Sequence, residues 1–167
     1  MKKLLVVLVL LIAITAVFAQ ARLEKGKMQV NAGFGVSGWG VPIYVGADYG
    51  VYDLEGNLGN ITAGGELSYR HWNYSNYYKY SIIGISVNGN WHFGELINMP
   101  SKVDTYAGLS LGYTIWSANH EGLSYGSGLY FAGQAGARYF FTDKLGAQIE
   151  AGGGTVSGLK LGITYKL

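Results

Sequence analysis

The stretch that decides the fold is 128–167, which reads GLYFAGQAGARYFF over 128–141, LGAQIEA over 145–151 and GLKLGITYKL over 158–167. In each segment every second residue is apolar or small, and the residues between them are mostly polar or glycine. A two-residue period is typical of strands with one apolar and one polar face. The three segments are therefore predicted to be three successive strands.

The two turns between these strands predict a register, because hairpin partners must share a face. A turn centred on Asp143 pairs Arg138 with Gln148, polar residue to polar residue. A turn centred on Thr155 pairs Glu150 with Lys160, which places opposite charges on the polar face. Both hairpins then share one continuous apolar face.

The same alternation recurs upstream. Five further segments carry it, at about 27–36, 41–50, 61–70, 83–93 and 106–115. A strand of about ten residues is the length that a tilted membrane strand needs. The sequence predicts an all-β fold, an eight-stranded antiparallel up-and-down transmembrane β-barrel.

The first residues predict an export signal. Lys2 and Lys3 precede an apolar run, 4–18, and the small residue Ala19 fits the signal-peptidase rule, so residues 1–19 are interpreted as a cleaved signal peptide. The apolar run is shorter than the ~20 residues of a membrane-spanning helix, which disfavours a retained anchor. Residues 20–167 form the predicted barrel domain, with 20–26 as a polar lead-in.

Composition excludes several classes of function. Lys2 and Lys3 leave with the signal, so the 12 basic residues fall to 10 and equal the 10 acidic ones. A neutral chain lacks the basic surface that nucleic-acid binding needs. The sequence has no cysteine, which excludes disulfides and cysteine-ligated metals.

Alternation leaves open whether the apolar face points into the barrel or into lipid. A lipocalin-like secreted barrel would hide it, and a membrane barrel would expose it. The charged residues share the glycine-rich polar phase and the aromatic residues gather near strand ends, which favours lipid outside. The predicted lumen network comprises Glu66, Arg70, Asn88, Gln134, Arg138, Gln148, Glu150 and Lys160.

Three stretches, 90–93, 104–113 and 139–146, resemble recurrent segments of the small eight-stranded outer-membrane barrels of the OmpA/OmpX type. The resemblance implies Sec-type export, an integral place in a bacterial outer membrane, contact with outer-membrane lipid and insertion by the outer-membrane assembly machinery. We expect a monomer. The chain differs from that family in ending on Leu167 instead of an aromatic residue, and in its long second and fourth connections.

Catalytic and cofactor motifs are weak. The G-x-G-x-x-G spelling at 33–38 lies in a predicted strand and opens no helix, so no nucleotide site is expected. The three histidines do not share a metal-binding spacing, and neither a metal nor a cofactor is expected. His120 and Glu121 with Ser117 and Ser124 are the one candidate enzymatic cluster, and an ordinary solvated loop explains them better.

An aromatic loop is predicted after the third strand. Possible surface-loop contacts are Trp72, Tyr74, Tyr77, Tyr78 and His120. These residues are interpreted either as a binding surface for an external partner or as a membrane-interface girdle that continues into the loop tip.

The sequence thus predicts a small integral envelope protein, not an enzyme, with a structural or interaction-mediating role and a lumen filled by side chains. A narrow channel, a lipid-modifying enzyme and a secreted ligand-binding barrel are the alternatives. The external ligand is not identified.

Cleavage after Ala19 should produce a mature protein that begins at Gln20, because Ala19 is the small residue that the peptidase reads. Mass spectrometry of the protein purified from membranes checks this expectation. Recovery of an intact Met1 terminus would contradict it.

Overall fold

The computed structural model describes residues 21–73, 79–118, 126–154 and 156–167. These residues form one closed antiparallel barrel in which each strand pairs with its neighbours in sequence and the last strand pairs with the first. The strands are β1 (Met28–Val36), β2 (Ile43–Asp53), β3 (Asn60–Asn73), β4 (Lys79–His92), β5 (Val103–Ala118), β6 (Gly128–Phe140), β7 (Leu145–Gly152) and β8 (Leu159–Lys166). The predicted all-β, eight-stranded, up-and-down barrel is confirmed. Among the described residues, no helix is long and apolar enough to cross a membrane.

Both predicted hairpin registers are confirmed. Arg138 lies opposite Gln148 in the β6–β7 pair, and Glu150 lies opposite Lys160 in the β7–β8 pair. The predicted centre of the second turn, Thr155, lies outside the described residues.

Several strands run further than the alternation predicts. β3, β4 and β5 have 14, 14 and 16 residues, and Trp72, predicted in a loop, pairs with Tyr80 inside the β3–β4 ladder. The ladder continues there although the apolar alternation has ended, because backbone pairing does not require an apolar face. In β2, the register with β3 shifts between Gly50 and Tyr52, and this irregularity interrupts the alternation that the prediction followed.

The apolar phase of the strands faces outward. Leu109 is 55% exposed on the outer surface, whereas its neighbour Ser110 is 2% exposed inside the barrel. Thr62 and Thr164 on the polar phase are fully buried. This facing contradicts the lipocalin-like alternative, which requires an apolar interior.

Aromatic side chains ring the outer surface near both ends. We call the end where β1 begins and β8 finishes the terminal end. Aromatic residues on the outward phase near this end are Tyr49, Trp91, Tyr139, Phe141 and Tyr165, and those near the opposite end are Phe34, Tyr69, Tyr113 and Phe131. With a rise of about 3.3 Å per residue and a tilt of about 40°, the step from Phe131 to Tyr139 spans roughly 20 Å, comparable to the apolar band of membrane barrels.

The segment 21–25 closes the terminal end. The prediction of a polar lead-in over 20–26 is wrong for this part, because Ala21 and Leu23 are buried. The amide of Ala21 donates to the carbonyl of Ser101 at 2.6 Å, and Asn60 Nδ2 donates to the carbonyl of Leu23 at 2.7 Å. Two alternating apolar residues are too few to register as a pattern.

Arg22 fastens this segment to two connections. Its guanidinium lies 2.9 Å from Asp53 and 3.0 Å from Glu95. Partial burial works to lower the pKa of Arg22, but the hydrogen bonds to Asp53 and Glu95 outweigh it and the pKa is raised. Arg22 therefore remains a cation that holds both carboxylates.

The connection between β7 and β8 turns inward at the opposite end. Gly152 and Gly153 have φ values of +86° and +82°, which only glycine adopts without strain. Beyond them Val156 is buried, and Ser110 Oγ donates to the carbonyl of Gly153 at 3.1 Å. Both ends of the barrel are thus covered by the chain itself.

Adjacent residues on opposite faces provide a test of facing. Ile149→Lys should lower the free energy of unfolding by about 2–4 kcal/mol, since it places a cation mid-strand against hydrocarbon. Gln148→Glu should cost clearly less, because the new carboxylate faces the lumen, has the shape of the amide and still accepts from Arg138 Nε. Ser110, which also lies in the lumen, is packed too tightly to serve as this control. Urea unfolding in lipid vesicles measures the free energy of unfolding of both variants. A larger loss for the variant at position 148 than for the variant at position 149 would place the apolar face inside.

Candidate functional site

The lumen contains a connected network of ionisable side chains. Seven strands contribute to it, since alternation points one residue in two inward. The members are Asp48 (β2), Glu66 (β3), His92 (β4), Asp104 and Tyr106 (β5), Arg138 (β6), Glu150 (β7) and Lys160 (β8). Two cations divide this network into two clusters.

The Lys160 cluster lies nearer the opposite end. Lys160 Nζ is 2.7 Å from Glu66 Oε2 and 2.8 Å from Glu150 Oε1, so one ammonium bridges two carboxylates. Glu150 also accepts a hydrogen bond from Tyr106 Oη at 2.7 Å. The ammonium lies 5.4 Å from the ring centre of Tyr44, which adds a cation–π contact.

The Arg138 cluster lies nearer the terminal end. Arg138 Nη2 is 2.6 Å from Asp48, and Nη1 is 3.3 Å from Asp104. Its Nε donates to Gln148 Oε1 at 3.2 Å, and its guanidinium carbon is 4.4 Å from the ring centre of Tyr106. A planar fork with donors on several sides suits this arrangement better than a lysine would.

His92 extends the Arg138 cluster toward β3. Its Nδ1 lies 2.8 Å from Asp104 Oδ1, and its Nε2 lies 3.0 Å from Thr62 Oγ1. A hydroxyl, an imidazole and a carboxylate in this order are the parts of a nucleophilic triad. Thr62 is fully buried, however, so the hydroxyl is not open to a substrate.

Carboxylates outnumber cations in the two clusters. Asp48, Glu66, Asp104 and Glu150 share the two cations Arg138 and Lys160, and Asp104 also contacts the imidazole of His92. Neutral donors supply further hydrogen bonds to the carboxylates. Those to Asp48 are Gln29 Nε2 at 3.2 Å and Asn31 Nδ2 at 2.9 Å, and the one to Glu150 is Tyr106 Oη. Such bonds stabilise the ionised form of a buried acid.

Little space remains around the two clusters, whereas a cavity of about 360 Å³ lies at the terminal mouth beside Leu23, Lys27 and Lys166. Two lumen cavities lined by described residues each have a volume of about 10 Å³. One lies among Asp48, Glu66 and Arg138, and the other lies between Tyr44 and Val156. Each cavity has room for about one water molecule. Side chains therefore fill the lumen between these points.

The structure brings most of the predicted lumen residues together. Glu66, Arg138, Gln148, Glu150 and Lys160 lie in the two clusters described above. Gln134 forms a side branch, because its Nε2 donates to Asn90 Oδ1, and Asn90 Nδ2 donates to Asn88 Oδ1 at 3.2 Å.

Arg70 lies outside the network, and the prediction that it finds a partner in the lumen is wrong. Its guanidinium stacks over Trp72, 4.9 Å from the ring centre, and no carboxylate among the described residues lies within ion-pair distance. Arg70 lies four residues further along β3 than Glu66 and is therefore closer to the opposite end of the barrel. At that position a half-exposed cation keeps contact with water.

Trp72 belongs to an aromatic group at the end of the long strands. Its ring stacks on Tyr80 with centroids 5.3 Å apart and meets the edge of Trp116 at 6.0 Å. Tyr74, Tyr77, Tyr78 and His120 lie outside the described residues, as do Glu121 and Ser124. Ser117 of the candidate enzymatic cluster lies in β5.

Sequence reasoning missed Asp48, His92, Asp104 and Tyr106 as members of the network. Asp48 and His92 share the polar phase of their strands with the predicted members, so the phase alone could have found them. Asp104 lies two residues before Tyr106, where the sequence predicts the fifth strand to begin. Because β5 in fact begins at Val103, Asp104 shares the inward phase of Tyr106. Within the described ranges, no group of three histidine, cysteine, aspartate or glutamate side chains could hold a metal ion.

No family model matches the chain, and no curated protein matches its sequence. Solved structures do match its fold. The outer membrane protein OprG from Pseudomonas aeruginosa superposes with a TM-score of 0.62 at 10% identity, over 89% of this chain and 99% of that one. The fold is that of the small outer-membrane β-barrels.

Two further solved structures share this fold. Ail, the attachment invasion locus protein of Yersinia pestis, matches with a TM-score of 0.54 at 12% identity, over 86% of this chain and 100% of that one. The outer membrane enzyme PagL matches with a TM-score of 0.52 at 15% identity, over 83% and 98%. Identities this low show a common fold, and one fold hosts different functions.

Removing Lys160 tests the bridge between the two carboxylates. Lys160→Met should destabilise the barrel by about 3–5 kcal/mol, because Glu66 and Glu150 lose their shared cation inside the lumen. Lys144→Met, at an exposed turn, is the matched control and should change stability little. Unfolding in urea, followed by tryptophan fluorescence, measures both.

Neutralising the carboxylates should restore most of the loss. Replacing only Glu150 together with Lys160 still leaves Glu66 without a cation, so the compensating variant is Glu66→Gln/Glu150→Gln/Lys160→Met. Equal stability of the wild type and Lys160→Met would show that the bridge contributes nothing.

Proposed function

We propose that the chain is an integral protein of a bacterial outer membrane with a closed lumen, and that its role in the envelope is structural or interaction-mediating. The observation that carries this proposal is the filled interior. Two ionic clusters cross the lumen, and the chain covers both ends. Outer-membrane lipid is its surrounding partner, and it acts as a monomer.

The outer surface supports the membrane assignment. Large apolar side chains such as Val87 and Leu109 stand exposed along the middle of the strands, between two rings of aromatic residues. Water would make such a surface adhesive, whereas lipid hydrocarbon matches it. A closed barrel also leaves no unpaired strand edge in the hydrocarbon.

The arrangement of apolar and charged side chains supports a closed lumen. Ala21 and Leu23 cover the terminal end, and Ile82 and Val156 lie buried toward the opposite end. The ionic clusters lie between these apolar side chains. An ion crossing the barrel would have to displace the bridge at Lys160 and the fork of Arg138, and eight strands leave no other passage.

We propose no enzymatic activity. The hydroxyl–imidazole–carboxylate arrangement of Thr62, His92 and Asp104 is buried behind the N-terminal segment, so it orients polar groups inside the lumen. Expression of the protein should leave the mass spectrum of lipid A unchanged. A mass shift that is lost in Thr62→Val would contradict this statement.

Electrical recording tests the closed lumen. The protein in a planar lipid bilayer should show no discrete conductance steps, and Leu23→Ala should remain silent, because the ionic clusters still block the path. Leu145→Ala, an outward-facing leucine at the same end, is the matched control. Discrete steps in the wild type would favour the narrow channel instead. Steps only in Leu23→Ala would show that the N-terminal segment alone closes an otherwise open pore.

A further inference from the structure

The connection between β4 and β5, residues 93–102, presents an apolar surface at the terminal end. It is much longer than the 141–144 connection at the same end. Leu96, Ile97 and Met99 are 44%, 49% and 40% exposed. We call these three residues the apolar knob. Three large apolar side chains in four positions are unusual for a connection that lies in water.

The connection is an ordered turn, so the knob has a fixed orientation. The amide of Leu96 donates to the carbonyl of Phe93 at 3.0 Å, and the amide of Met99 donates to the carbonyl of Gly94 at 2.9 Å. Asn98 adopts a φ of +55°, a left-handed conformation that asparagine tolerates.

The polar side of the same turn is tied to the barrel mouth. Glu95 forms the ion pair with Arg22, and Ser101 accepts the hydrogen bond from Ala21. The side chain of Glu95, which precedes the knob, therefore points to the N-terminal segment that closes the barrel. The turn is amphipathic: Glu95 is held by its ion pair with Arg22, and the three apolar residues have no cover among the described residues.

The knob continues the aromatic ring of the terminal end. Trp91 and Phe93 lie just before it in sequence, and their ring centroids are 5.4 Å apart. Trp91 Nε1 donates to the carbonyl of Leu58 at 2.8 Å, and Leu58 is a further exposed apolar residue at this end. The knob thus directly follows, along the chain, the aromatic residues that lie at the rim of the lipid-facing wall.

We propose that the apolar knob inserts into the lipid headgroup region of the membrane leaflet at the terminal end and anchors this side of the barrel in the membrane interface. The inference rests on the proposed function, because it requires a barrel that spans lipid. Interfacial amphipathic helices bury their apolar face about 5–10 Å into the boundary between headgroups and acyl chains, and the turn presents the same combination of a polar and an apolar side. The fourth connection, 93–102, is then long because it carries the residues that contact the membrane interface.

Site-directed spin labelling tests the proposal cleanly, since the chain has no cysteine. Ile97→Cys carries the label on the knob. Asp143→Cys, exposed in the polar 141–144 turn of the same end, is the control for water, and Leu109→Cys reports the lipid-facing wall. Each labelled protein is reconstituted in vesicles of phosphatidylethanolamine and phosphatidylglycerol. Relaxation by oxygen, which partitions into lipid, is compared with relaxation by a water-soluble nickel chelate.

We expect the label at position 97 to be several-fold less accessible to the nickel chelate than the label at position 143, and its accessibility to oxygen to lie closer to that of the label at position 109. Equal values at 97 and 143 would overturn the proposal and place the knob in water. Shielding of position 97 from both reagents would also overturn it, in favour of a second copy or another protein on the knob. A label at 109 that resembles the one at 143 would instead contradict the membrane assignment itself.

Discussion

Hydrocarbon offers neither hydrogen bonds nor solvation for charge, and this constraint governs the whole molecule. Each strand forms an antiparallel ladder with both of its neighbours, and β8 returns to β1, so the wall has no edge strand. Every strongly charged side chain of the strand centres must then point inward. The two-residue period of the sequence expresses this requirement directly.

The interior that results is the reverse of an ordinary protein core. Its centre is polar, and the buried aliphatic residues lie toward the ends, with Leu23 on one side and Val156 on the other. Apolar caps keep water away from the centre, which strengthens hydrogen bonds there and raises the cost of an unsatisfied group. Buried ion pairs recover little net free energy once desolvation is counted, but a wrong register would leave charges without partners. The network therefore acts more on specificity than on gross stability.

The fold follows from the sequence because alternation, turn centres and the placement of charges agree with one another. The two-residue period and the turn centres were enough to predict that Arg138 lies opposite Gln148 and that Glu150 lies opposite Lys160. Contacts across the lumen did not follow, since the partner of a strand residue on a distant strand depends on barrel tilt and on side-chain reach. Asp48 meets Arg138, and Glu66 meets Lys160, by such cross-lumen contacts. Arg70 shows the converse case, because a polar phase guarantees an inward direction and not a partner.

The bridge at Lys160 also bears on the order in which the chain can become a barrel. Glu66 belongs to the third strand and Lys160 to the eighth, so the carboxylate is made long before the ammonium that compensates it. A nascent sheet of seven strands would hold Glu66 and Glu150 with no lysine between them and with an open edge on each side. Such a sheet is incompatible with hydrocarbon, because its edges carry unpaired backbone groups and its carboxylates lack a cation. Closure and charge compensation thus arrive together with β8, so that all eight strands are needed before the barrel can lie in the bilayer.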